Sequence, residues 1–158
     1  MMMASAAQTA IKIDRHANSI VMTRSFGASR GLIFEAWTSP EHIASWWDPS
    51  GVRLSVCEVD LRPGGSFRFV SQDTHGAPAF EGRYLEIAPP ERLVFEAMGS
   101  FGSVTLEEAG GQTLMMVTIK CHSPEQLEQF LQMGVDVGTS RTLDNLVAHV
   151  ADLRARKQ

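Results

Sequence analysis

From Ser123 onward the chain carries a helical pattern. Ser123 stands as an N-cap, with Pro124 at the first helical position and Gln126 at the third. Further along, Leu143, Leu146, Val147, Val150 and Leu153 recur at spacings of three and four, while Arg141, Asp144, Asn145, Asp152 and Arg154 fall off that stripe. The spacing predicts a long amphipathic helix over 123–156, bent or broken at Gly134 or Gly138, since glycine weakens a helix by about 1 kcal/mol relative to alanine. Upstream the period is two, and strands are predicted over 52–61, 66–72, 79–88, 92–98, 103–109 and 113–121. Turn-rich connections such as Pro63-Gly64-Gly65, Pro89-Pro90-Glu91 and Gly110-Gly111 are of hairpin length, so these strands should form an antiparallel meander.

Before the meander, Ile11, Ile13 and the run 20–26 read as an extended first strand with room for a hairpin at Ala17 and Asn18. Ser29 caps a short helix dense in Leu32, Ile33, Phe34, Ala36 and Trp37. A second helix, capped by Ser39 and opened by Pro40, carries Ile43, Trp46 and Trp47 and stops at Asp48-Pro49-Ser50-Gly51. The whole is an α+β arrangement: an about seven-stranded curved antiparallel sheet, two short helices after strand one, and a long C-terminal helix packed across one face.

A chain of 158 residues builds one hydrophobic core without metals or disulfides. We read residues 1–10 as a disordered leader and 11–158 as a single domain. The net charge of −4 and the interspersed signs leave no basic stripe for phosphates, so nucleic acid is not an expected partner. No run is long enough for a membrane span, and the leader lacks the basic and apolar regions of a signal peptide. Cys57 and Cys121 have no metal-ligand spacing and read as reduced thiols, which fits a cytoplasmic location.

Several segments together resemble a known family. They are Arg24-Ser25-Phe26-Gly27-Ala28-Ser29, Ile33-Phe34-Glu35-Ala36-Trp37-Thr38-Ser39-Pro40-Glu41-His42, Trp46-Trp47-Asp48-Pro49, Asp60-Leu61-Arg62-Pro63-Gly64-Gly65-Ser66-Phe67-Arg68, and Gly82-Arg83-Tyr84 through Arg92-Leu93-Val94-Phe95. This set resembles the Hsp90-ATPase-activator-like branch of the START-like superfamily (SRPBCC, Bet v 1-like) over about 20–153. The resemblance implies a helix-grip fold with a cavity between the sheet and the last helix, often used for hydrophobic small molecules. Its name also implies Hsp90 as a partner, and cyclase- or hydrolase-type enzymes occur elsewhere in the superfamily. Members commonly carry a Gly-Trp pair where this chain has Gly138-Thr139, so the pocket here should be wider or more polar.

The expected ligand-binding residues are Trp37, Trp46, Phe69, Tyr84, Phe95, Met116, Val135, Thr139, Leu143 and Val147. At least two of the tryptophans should pack in the core, and of Met115 and Met116 only one can face inward. Glu58 and Arg83 are candidate polar pocket groups that would serve an enzyme if a desolvated carboxylate faced inward. The competing reading puts the strand carboxylates and arginines in cross-strand ion pairs on the outer face. His42, His75, His122 and His149 show no metal-binding spacing and read as surface or capping residues. With no catalytic, metal or cofactor motif, the expected function is binding a hydrophobic small molecule, by a monomer or homodimer.

Overall fold

The computed structural model describes residues 9–72 and 79–156. Eight strands form one antiparallel sheet: β1 (Ala10–Asp14), β2 (Ser19–Phe26), β3 (Val56–Val59), β4 (Ser66–Val70), β5 (Phe80–Ala88), β6 (Arg92–Ala97), β7 (Ser100–Ala109) and β8 (Gln112–Lys120). Their order is β1-β2-β8-β7-β6-β5-β4-β3. From β3 to β8 each strand pairs with the next, as the short turns require, and β2 closes against β8. The count exceeds the expected seven because the first extended stretch folds back on itself. Asn18 takes a positive φ of 51°, and the Asp14 carboxylate accepts from the His16 and Ala17 N–H groups across that turn. The start of β7 also differs, at Ser100 rather than 103. Met98 and Gly99 both have positive φ, a two-residue turn whose twist suits a hairpin, and a methionine gives no turn signal in sequence.

Helices α1 (Arg30–Thr38) and α2 (Pro40–Trp46) join β2 to β3, while α3 (Pro124–Gln132) and α4 (Val135–Arg156) follow β8. The expected single last helix is therefore two. Ser123 accepts from the Gln126 N–H at 3.1 Å, and the Gln126 carboxamide accepts from the His122 N–H at 2.8 Å, so the start is doubly tied. The break falls at Gly134, whose φ of +76° is a left-handed conformation that a side chain resists. Gly138 stays within α4. Ser29 caps α1 through the Leu32 N–H, whereas Ser39 makes no side-chain bond at the start of α2, contrary to its expected role.

Alternation along the strands puts Met22, Val104 and Val117 on one face, where they are paired neighbours across β2, β8 and β7. That face is buried under Ile33 and Trp46 of the short helices and Leu143, Leu146 and Val150 of α4. The burial of such side chains contributes roughly 1.5–3 kcal/mol each and is what holds α4 to the sheet. Polar ties add position. Thr142 donates to the Trp47 carbonyl at 3.0 Å, and Asn145 donates to the Asp48 carbonyl at 2.9 Å, fixing the end of α2 against α4. Arg24 is a buried cation on the same inner face; its Nη1 donates to Asp144 of α4 at 2.9 Å. The leader expectation falls mainly on residues outside those described, but Ala10 already belongs to β1 and Thr9 accepts from Arg24.

Candidate ligand-binding cavity

Beneath α4 the packing is incomplete, and an apolar cavity of about 280 Å³ remains between helix and sheet. This is just below the roughly 300–1,000 Å³ typical of ligand sites. Phe95, Ala97 and Gly102 from β6 and β7, with Val117 and Ile119 from β8, form its floor. Val135, Gly138, Thr139, Thr142 and Leu143 of α4 form the roof, and Trp37 and Trp47 close one side. Three further lining residues, Pro49, Met98 and Phe101, are exposed and mark the rim.

The shape has a cause in the sequence. A Cβ on Gly102 would stand 2.5 Å from the Phe95 ring, and one on Gly82 would stand 2.5 Å from the Phe67 ring. Both glycines therefore let aromatic rings lie down on the strands. At the β3–β5 end those rings fill the space. Trp47 meets Phe69 at 4.9 Å between centroids, and Phe67 meets Tyr84 at 5.1 Å. The gap left there is only about 20 Å³, room for about one water molecule. The larger apolar space lies beside α3 and the first turns of α4.

Among the expected site residues, Trp37, Phe95, Val135, Thr139 and Leu143 come together around the cavity. Phe69 and Tyr84 line only the small gap. Four others need correction for geometric reasons. Trp46 is 1 % exposed and points into the core, its indole N–H donating to the Ala36 carbonyl at 3.0 Å. Met116 lies on the outer face at 41 % exposure, because its neighbours Met115 and Val117 on either side face inward. Glu58 and Arg83 also face outward. Glu58 stands opposite Arg68 in register, and Arg83 pairs with Glu96 at 2.7 Å. Arg83–Glu96, Arg68–Glu81 and Arg92–Glu86 are cross-strand ion pairs of the competing reading, each worth little at such exposure.

Val147 is the fifth residue displaced. Each four-residue step along a helix rotates a side chain by about 40°, so two steps beyond Thr139 it leaves the cavity for a groove beside Phe26 and Val150. Sequence reasoning missed Val117, Ile119 and Phe130, although strict alternation from the inward Met115 finds the first two. It also missed that His42 and His149 meet, ring nitrogens 3.0 Å apart, with Glu35 3.4 Å from the other side of His42. His75 lies outside the described residues.

The chemistry of the cavity is quiet. Its described lining holds no charged side chain. Burial, with a smaller contribution from Cys57, raises the Tyr84 phenol well above its ordinary value. Burial pushes the Cys57 thiol up to about 11, against the opposing pull of Arg53. Both groups are neutral near pH 7, so neither is an activated nucleophile or base. No cluster of three or more His, Cys, Asp or Glu able to hold a metal occurs among the described residues. None of the described helices is long and apolar enough to cross a membrane.

Comparison with known proteins agrees with this architecture. No curated protein matches the chain. Among solved structures, a protein from Rhodobacter sphaeroides superposes with a TM-score of 0.83 at 21% identity, covering 92% of this chain and 99% of that one. One from Nitrosomonas europaea gives 0.79 at 24% identity, over 87% and 96% of the two chains. Another, from Chromobacterium violaceum, gives 0.68 at 25% identity, over 82% and 95%. The family model described as "Activator of Hsp90 ATPase homolog 1-like protein" matches residues 27–151, from the approach to α1 almost to the end of α4. With the whole helix-and-sheet frame of the cavity inside that match, the chain belongs to the Activator of Hsp90 ATPase homolog 1-like family.

Proposed function

We propose that this protein is a receptor for an apolar small molecule, held in the cavity between the sheet and α4 without reacting with it. The observation that carries the reading is the cavity itself: about 280 Å³, lined mostly by apolar side chains, with an exposed rim at Pro49, Met98 and Phe101. A largely apolar ligand in a space of this size makes dispersion contacts along the whole lining. The family's fold commonly houses hydrophobic ligands, which supports the same reading. A cyclase- or hydrolase-type reading has less support, since Glu58 and Arg83 lie on the outer face.

Thr139→Trp tests the proposal, because the indole would occupy the roof of the cavity. Native mass spectrometry with a panel of lipids and aromatic metabolites should show retention by the wild-type protein and loss of roughly tenfold or more in affinity for the variant. Retention of nothing by the wild type, or equal retention by a folded Thr139→Trp protein, overturns it.

A further inference from the structure

We infer that the cavity selects an uncharged, largely apolar ligand carrying a hydrogen-bonding oxygen, about the size of two or three fused rings, and rejects the ionised carboxylate of the same skeleton. This inference rests on the receptor reading and adds the chemical class. Three observations carry it. The first is size: at the packing density of roughly 0.74 found in protein interiors, 280 Å³ accommodates about 200 Å³ of ligand atoms.

The second is charge. No Lys, Arg, His, Asp or Glu lines the cavity among the described residues. Arg83 pairs with Glu96 on the outer face, and Arg24, buried on the inner face, lies outside the lining and donates through its Nη1 to Asp144. A buried carboxylate would therefore find no counter-ion, and an unpaired ion is far costlier to desolvate than a neutral carbonyl.

The third is polarity at one point of the roof. Two of the lining hydroxyls are committed, Ser100 donating to the Ala97 carbonyl at 2.9 Å and Thr142 to the Trp47 carbonyl at 3.0 Å. The Thr139 hydroxyl has no hydrogen-bond partner among the described residues, and neither has the indole N–H of Trp47. Both are donors beside an apolar space. Both residues are half-buried; a ligand oxygen in the cavity accepts from them, whereas a pure hydrocarbon offers them no acceptor. Thr139 thus serves as a specificity-determining residue of a site whose remaining lining is apolar.

Acetylnaphthalene, naphthol, naphthalene and naphthoate differ in the relevant groups while sharing one skeleton, and Trp37 and Trp47 in the lining supply a fluorescence signal. Titration near pH 7.5 should give acetylnaphthalene and naphthol affinities about tenfold or more above naphthoate. Thr139→Val, which removes the hydroxyl and keeps the shape, should weaken acetylnaphthalene several-fold and leave naphthalene unchanged. Naphthoate binding as tightly as acetylnaphthalene, or an equal effect of Thr139→Val on naphthalene, overturns the inference while leaving a binding cavity in place. Failure of all four probes, naphthalene included, removes the receptor reading and this inference with it.

Discussion

Met115 is fully buried with its thioether 3.4 Å from the Trp37 indole nitrogen, and Met116 beside it is 41 % exposed. The two have the same side chain and adjacent places in β8; only the pleat separates them. Met115→Ala should therefore destabilise the protein by about 2–5 kcal/mol, and Met116→Thr by no more than about 0.5 kcal/mol. Urea denaturation measures both, and equal losses would mean that β8 does not sit in the register described. The same contrast explains why single residues were hard to assign from sequence. Trp46 and Trp47 both read as pocket or core, and the choice depended on how α2 rolls against α4. That roll is set by partners far away in the chain, Thr142 and Asn145, which hold the carbonyls of Trp47 and Asp48.

The junction of α2 and α4 also holds the His42–His149 pair, which sequence spacing did not suggest because 107 positions separate the two. Around His149 stand His42 from α2 and Asp152 and Arg156 from α4, the last two bonded to each other, with Glu35 of α1 reaching His42. Burial first, and the neighbouring His42 second, lower the His149 pKa below its ordinary 6.5 despite the opposing pull of Asp152. The folded protein then binds fewer protons at this site than the unfolded chain, so stability falls as pH drops below about 6.5. His149→Gln should flatten the change in urea midpoint between about pH 7.5 and pH 5.5; an unchanged slope would assign the effect elsewhere. Asp48 does not confuse the window. Burial acts to raise its pKa, but hydrogen bonds from Ser50 and Ser71 outweigh it and the value is lowered from 3.8, so its contribution is lost only in stronger acid.

For the molecule as a whole, a ligand that enters only the folded cavity must stabilise the fold. At a free concentration of about 100 times Kd the gain is roughly 2.7 kcal/mol, or a rise in Tm of about 5–10 °C for a chain of this size. Differential scanning fluorimetry with acetylnaphthalene should show that rise in the wild type and not in Thr139→Trp; no rise at saturation counts against an internal site. The α+β class, the antiparallel meander, both short helices and the α4 stripe were legible in the amino-acid pattern, because hydrophobic period and turn residues act over a few neighbouring positions. The break between α3 and α4 was legible as well, to one of two glycines. What the pattern could not decide is which packed surfaces fail to meet. Filling the β3–β5 end while leaving space beside α4 depends on Phe67 and Phe95 lying over Gly82 and Gly102 of other strands. Volume is a sum over side chains brought together from the whole chain, so the hollow exists only in the tertiary structure, where close packing either succeeds or stops short.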